Sequence, residues 1–339
     1  MSHLAETLGG SSLVTTTPSD GHSGAEYRPT MRVAGVQAAP VWLDREATTT
    51  RVIESLHDAA AGGAELVAFP ETFIAGYPSW VDITDASAWE RRDQQEAFRW
   101  YLESSVDIDG GQLDTVVEAC GDLGVFAYVG VVERAASGES VFCSLVAIDP
   151  TAGVVGVHRK LKPTFGERMV WSDGDGNGLR VHETKGWRVS GLNCWENWMP
   201  LARTALYAQG TQLHVAVWPG SVGLSHDITR FIAMEGRCHV LSVGAVLREE
   251  HVPTDFPLRS AMLAVRDRFA NGGTIICAAG GEVVAQAERH AETIVFADLD
   301  LGAVHRERHN FDPTGHYARP DVLDLRVDRR RLGPATFSD

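Results

Sequence analysis

Three residues, far apart in the chain, have types and settings suited to nucleophilic chemistry on a carbon centre: Glu71, Lys160 and Cys194. Cys194 ends the strand-like run Trp187-Arg188-Val189-Ser190-Gly191-Leu192-Asn193, and a helix-like stretch begins soon after it, at Pro200. A cysteine placed where a strand gives way to a helix can face a cleft beside free backbone N–H groups. Such donors lower a thiol pKa and stabilise a developing anion. Position alone also fits a buried cysteine that only packs, which is the commoner fate of a free thiol.

Glu71 directly follows the apolar run Leu66-Val67-Ala68-Phe69-Pro70. A carboxylate at the end of a buried strand is partly desolvated, which raises its pKa and suits it to general-base work. A helix-terminal charge or a surface ion pair is the alternative. Lys160 and Lys162 lie in His158-Arg159-Lys160-Leu161-Lys162-Pro163-Thr164. If that segment stays extended, both lysines share one face and Leu161 takes the other. A lysine at a cleft can donate to a developing oxyanion or imine nitrogen; otherwise the cluster is a solvated turn.

The local sequences around these residues carry more than the residues do singly. Phe69-Pro70-Glu71-Thr72-Phe73-Ile74-Ala75-Gly76-Tyr77-Pro78, Arg159-Lys160-Leu161-Lys162-Pro163-Thr164 and Gly191-Leu192-Asn193-Cys194-Trp195-Glu196-Asn197 resemble the three signature segments of the nitrilase superfamily, in its order and with its spacing. Cys194-Trp195-Glu196 with Met199-Pro200-Leu201-Ala202-Arg203 looks like the true nitrilase branch rather than the amidase branches. Glu235-Gly236-Arg237, Gly272-Gly273 and Gly315-His316-Tyr317-Ala318-Arg319-Pro320 agree, and the resemblance spans residues 31–325. It implies a catalytic Glu71, Lys160 and Cys194, with Glu167 helping to hold the site, and it implies a four-layer αββα sandwich. Tyr77 and Trp195, each close in sequence to one of these residues, are the expected substrate contacts. One departure is Phe165, where many nitrilases carry a histidine; it bears on pocket polarity and on the preferred substrate.

The implied reaction converts an organic nitrile and water to a carboxylic acid and ammonia. Cys194 attacks to give a covalent thioimidate and then a thioester, Glu71 acts as general base, and Lys160 stabilises the intermediate. No metal or organic cofactor is required. An amidase or carbamoylase of the same superfamily would use the same groups on an amide carbonyl. A non-catalytic binding or filament-forming protein on this fold is the reading from another class. The resemblance also implies a homo-oligomer, a dimer or larger and in some members a spiral. Within helix 200–209, Leu201, Ala205 and Leu206 would pack on the sheet and Arg203, Tyr207 and Gln209 would face a partner.

Two further patterns look like metal sites but fall short. Asp173-Gly174-Asp175-Gly176-Asn177-Gly178 fits the first half of a calcium loop, yet Thr184 stands where the loop needs its final glutamate. His305 and His309 have an i, i+4 spacing without an evident helix or third ligand, and read as part of a charged solvated segment.

The elements that must position these groups alternate along the chain. Strands are predicted over 31–38, 66–69, 125–133, 141–148, 154–158, 186–193, 213–218, 241–247, 274–278, 283–287 and 293–299. Helices are predicted over 44–61, 89–104, 111–123, 200–209 and 228–237. This is an α/β chain, and hairpin-length gaps such as 133–141 favour two helix-covered sheets over a purely alternating parallel one. Residues 1–30, rich in Ser, Thr, Gly and Pro, read as a flexible leader, 31–325 as one domain, and 326–339 as a solvated tail.

The totals limit the function classes. The 339-residue chain is 44% apolar and 22% charged, as in ordinary globular proteins. Its net charge of −15, with scattered basic residues, disfavours nucleic acid and anionic membranes as partners. The cysteines are Cys120, Cys143, Cys194, Cys238 and Cys277; an odd number without a C-x-x-C pair argues for a reduced, cytoplasmic protein. Cys143 and Cys277 read as strand positions and Cys120 and Cys238 as parts of helix-like stretches, all four behaving as small apolar residues.

Overall fold

A computed structural model describes residues 29–136, 138–265, 269–333 and 335. In chain order the strands are β1 (Thr30–Gln37), β2 (Leu66–Ala68), β3 (Phe126–Arg134), β4 (Val141–Asp149), β5 (Gly153–Arg159), β6 (His182–Thr184), β7 (Trp187–Asn193), β8 (Leu213–Trp218), β9 (His239–Gly244), β10 (Ile275–Cys277), β11 (Val283–Gln286) and β12 (Thr293–Asp300). The helices are α1 (Arg45–Ala61), α2 (Trp80–Ile83), α3 (Arg92–Glu103), α4 (Asp114–Leu123), α5 (Pro200–Tyr207), α6 (Val222–Gly236), α7 (Arg259–Leu263) and α8 (Leu301–Asn310).

The strands form two six-stranded sheets, ordered β12-β1-β2-β3-β4-β5 and β11-β10-β9-β8-β7-β6. Each is parallel at its centre, β1-β2-β3 and β7-β8-β9, and antiparallel toward its edges. The two-residue period of a strand decides where each side chain goes. In the first sheet Phe126, Tyr128, Leu145 and Ala147 point at the second sheet, where they meet Val189, Leu213, Val215 and Leu241. The alternate residues Ala127, Val129, Val146 and Ile148 pack outward against Val52, Leu56 and Ala59 of α1 and Val116 and Cys120 of α4. On the second sheet Ala216, Trp218 and Val240 pack outward against Ile228, Ile232 and Ala233 of α6. The result is the expected four-layer αββα sandwich. Because both faces of each sheet are covered, the central strands are apolar almost without interruption.

Helix ends follow from capping. Asp44 accepts the Ala47 N–H at 3.0 Å to start α1, and Gly62 follows its last turn. Helix α6 begins at Val222 rather than at 228, because Gly223 and Ser225 in its first turns hide the apolar period. Helix α8 occupies the stretch read as a solvated charged segment. Asp300 caps it through the Gly302 N–H at 2.8 Å, and only Leu301 and Val304 are buried, too few to show a helical pattern in sequence. His305 and His309 therefore do lie on a helix, but among the described residues they join no cluster that could hold a metal.

Helix α5 also differs from expectation. Leu201 is 67% exposed, whereas Arg203 and Tyr207 are buried. Arg203 turns inward because it donates to the Asn197 carbonyl at 2.7 Å and pairs with Glu235, which also receives the Tyr207 hydroxyl. Gln209 is tied down as well, through the carbonyls of Leu179 and Ala205.

Most of the expected leader lies outside the described residues, and Thr30 already belongs to β1. The tail is not simply solvated. Arg331 reaches Asp175 at 3.1 Å and the Val157 carbonyl at 2.7 Å, and Asp175 also accepts the Leu332 N–H at 2.9 Å. Asp175 of the calcium-like loop is thus occupied by the chain's own C-terminal segment, and Asp173 pairs with Lys162.

Candidate active site

Each candidate side chain is delivered by the end of a strand. After β2 the chain runs through Phe69 and Pro70 to Glu71, crossing β3 so closely that a Cβ on Gly130 would lie 2.0 Å from the Pro70 carbonyl oxygen. Only glycine permits that approach. Lys160 follows β5 immediately, and its N–H bonds to the Cys143 carbonyl at 2.7 Å. There the extended conformation ends: Lys160 is 1% exposed, while Lys162 is turned out and pairs with Asp173. The two lysines therefore do not share a face, as an unbroken strand would require. Glu167 lies in the short 3₁₀ turn Phe165–Met169 that starts after Thr164.

Cys194 follows β7 and opens a second 3₁₀ turn, Cys194–Trp198. Its φ of 46° is in the left-handed region, an uncommon conformation for a residue with a Cβ. The turn is held from beneath. The Asn197 side-chain amide donates to the carbonyls of Leu192 and Cys194, and its oxygen meets His214 at 2.8 Å.

These elements converge. The Lys160 ammonium lies 2.9 Å from Glu71 Oε1 and 2.7 Å from Glu167 Oε2. Ligand-type atoms of Glu71, Glu167 and Cys194 all fall within 4.8 Å of one another. All four side chains are buried. Glu167 is further fixed by the Thr164 N–H at 2.6 Å and by the Tyr77 hydroxyl, which donates to Oε1 at 3.1 Å. Tyr77 thus touches a site carboxylate, and it also lines a cavity of about 470 Å³ with Asp82, Ile83, Phe165, Leu224 and Phe269. Trp195 is placed differently: the residue is 41% exposed and its ring stacks on that of Trp198 at 5.9 Å, while its backbone N–H favours the ionised form of the Cys194 thiol.

Burial sets the electrostatics. It raises Glu71 to about 7, with Lys160 opposing the shift. Burial alone would lower Lys160, but Glu71, Cys194 and Glu167 together outweigh it and keep the ammonium charged. The Cys194 thiol is pushed well above its ordinary range by burial and by Glu71, with Lys160 and the Trp195 N–H pulling the other way. The site therefore rests as a neutral thiol beside a carboxylate of near-neutral pKa and a fixed cation. That arrangement can move a proton from sulfur to carboxylate while the ammonium and an N–H stabilise charge on an attacked group.

The two carboxylates and the thiol could in principle ligate a metal. The Lys160 ammonium already lies between the carboxylates, and a metal cation would bring a second positive charge against it.

Cys143, read from sequence as a packing residue, enters the site: its thiol donates to Glu71 Oε1 at 3.3 Å. The antiparallel register of β4 and β5 sets Ser144 opposite Arg159, which brings the preceding Cys143 beside Lys160. A β-bulge between Ala147 and Ile148 sets this register, and an unbulged hairpin drawn from the predicted strands would place Cys143 opposite Arg159 instead.

Residues 32–308 match the carbon-nitrogen hydrolase family. A protein named nitrilase 2, from an unidentified prokaryote, is 38% identical, over 89% of this chain and 94% of its own length. A bifunctional nitrilase/nitrile hydratase, NIT4B, of Nicotiana tabacum is 35% identical, over 91% of this chain and 89% of its own. Among solved structures, an amidase from Nesterenkonia sp. superposes with a TM-score of 0.60 at 16% identity, covering 84% of this chain and 97% of that one.

Proposed function

The chain belongs to the carbon-nitrogen hydrolase family, on its nitrilase branch, and from that premise we propose that it converts an organic nitrile and water to the carboxylic acid and ammonia. The observation that carries this reading is the buried Lys160 ammonium, which bridges Glu71 and Glu167 beside the Cys194 thiol.

Glu71 takes the thiol proton as sulfur attacks the nitrile carbon, and the proton passes to the nitrogen, leaving a thioimidate on Cys194. Glu71 then draws a proton from water as its oxygen adds to that carbon. Ammonia departs with the protons gathered on nitrogen, and a thioester remains. A second water, activated in the same way, releases the acid and restores the thiol. Lys160 and the Trp195 N–H stabilise charge on the nitrogen or oxygen at each addition. Glu167 and Tyr77 hold Lys160 in place, and Tyr77 borders the cavity through which substrate approaches. Trp195 contacts substrate through its main chain, its ring lying against Trp198. Release of some product as the amide is the second reading. It is favoured by the relatives named as bifunctional nitrilase/nitrile hydratases.

The chain acts as a homo-oligomer. Leu201 of α5, Leu224, Phe231 and Met234 of α6, and Trp198 and Met199 between the sheet and α5 expose apolar surface on one outer layer, a form of exposure that marks association sites. The five free cysteines fit a reduced, cytoplasmic setting, and no helix among the described residues is long and apolar enough to cross a membrane.

The test is turnover of a nitrile and of its cognate amide, with intact-mass analysis of trapped protein. The parent should release ammonia and acid from the nitrile and carry an adduct on Cys194, and Cys194→Ala should do neither. Faster turnover of the amide would make the protein an amidase. Light scattering should give at least a dimer; a fully active monomer would refute the assembly.

A further inference from the structure

We infer that Glu196 is a positioning residue whose carboxylate joins the nucleophile segment to the lysine segment and so sets the relation of Cys194 to Lys160. Glu196 is 1% exposed. Its Oε1 accepts the Leu161 N–H at 2.6 Å, and its Oε2 accepts the Asn193 N–H at 3.0 Å. Leu161 is the residue after Lys160, and Asn193 is the residue before Cys194. One side chain therefore grips the main chain directly beside both reacting groups.

The two segments belong to different sheets. Lys160 continues β5 of the first sheet, and Cys194 continues β7 of the second. The other hydrogen bonds of the nucleophile turn, from Asn197, His214 and Arg203, tie it to its own sheet and to α5. They fix Cys194 without fixing its distance from Lys160. His158, on β5, completes the link: its Nε2 lies 3.0 Å from Glu196 Oε2. His158 and the backbone donors more than offset burial and hold Glu196 below the usual carboxylate range, so that it stays an acceptor at both oxygens.

Acceptance at both oxygens is what the link requires. Glutamine has one carbonyl oxygen and an NH₂ that cannot accept, so Glu196→Gln must face one of the two N–H groups with a donor and release that segment. Aspartate keeps the charge but lacks the reach to span both.

This inference rests on the proposed roles of Cys194 and Lys160, and its test includes a readout that needs no nitrile. Alkylation of Cys194 by iodoacetamide, followed by peptide mass spectrometry at one pH, reports how well Lys160 supports the thiolate. In Glu196→Gln the Cys194 alkylation rate should fall about tenfold or more, since the thiolate fraction sets the rate. With nitrile, kcat should fall about a hundredfold while KM changes by less than about threefold, as expected for a misplaced reacting group. Lys162→Ala, at an exposed pair with Asp173 outside this link, should stay within about threefold of the parent in both measurements. Should Glu196→Gln not fold, Glu196→Asp carries the same expectations. A folded Glu196 variant with alkylation and kcat within about threefold of the parent would overturn the inference. A parent that shows the alkylation contrast but no nitrile turnover would leave the link intact and refute the substrate.

Discussion

Glu71 and Cys143 are hydrogen-bonded neighbours: the Cys143 thiol donates at 3.3 Å to the same carboxylate oxygen that receives Lys160 at 2.9 Å. Two donors thus share one oxygen, and the opposite oxygen of Glu71 has no hydrogen-bond partner among the described residues. The carboxylate is held on one side and left without a hydrogen bond on the other, as the role of base proposed for Glu71 requires.

Cys143→Ala removes a donor that favours the ionised carboxylate. The acid limb of kcat/KM against pH should therefore move upward, by about half a unit to one unit. Cys143→Ser keeps a donor and should move it less. A packing role alone would lower the melting temperature and leave the limb in place, so the two measurements separate the roles.

Glu71 must be ionised to act as a base, and burial raises it to about 7. Activity should fall about tenfold per pH unit well below that value. The same shift acts on stability with the opposite sense. A carboxyl whose folded pKa lies above its unfolded one contributes stability that is fully present below about 4.5 and is lost as pH rises through about 7. The melting temperature of Glu71→Gln minus that of the parent should therefore become more positive from pH 5 to pH 8. A constant difference would contradict the raised value.

Lys160→Ala leaves two buried carboxylates facing each other without a cation. Removing one partner of such a buried cluster costs about 3–5 kcal/mol, and urea unfolding should show it. Turnover should fall about a thousandfold or more. Lys162→Ala, at an exposed pair with Asp173, should change stability by less than about 1 kcal/mol.

Prolonged treatment with a chelator should leave activity and melting temperature unchanged, because the ammonium holds the place a metal would need. A loss of activity restored by a divalent cation would show that the Glu71, Glu167 and Cys194 grouping ligates a metal.

Much of the architecture could be read from sequence, because covered sheets impose strong local patterns. The runs at 125–133 and 213–218 and the apolar face of 44–61 fall on β3, β8 and α1 within a residue or so. Glu71, Lys160 and Cys194 each end such a run, but it is the resemblance of the segments around them to the three nitrilase signatures that made them legible. What escaped depends on contacts between distant segments. Cys143 reaches Glu71 only through the β4–β5 register. Arg203 turns inward only because Asn197 and Glu235 receive it. Glu196 meets Leu161 only when the two sheets stack. The apolar period of α8 is two buried residues long, too short to stand out from its charged neighbours.

The left-handed backbone at Cys194 bears on what selection must maintain. A side chain at φ 46° carries a conformational cost that glycine would not. Drift at this position, once the reaction is no longer needed, is therefore downhill toward glycine or asparagine. It is uphill toward threonine or valine, whose branched Cβ suits that backbone least. A cysteine kept at residue 194 across a lineage is thus kept against the preference of its backbone, and packing into the core there asks only for a small apolar side chain.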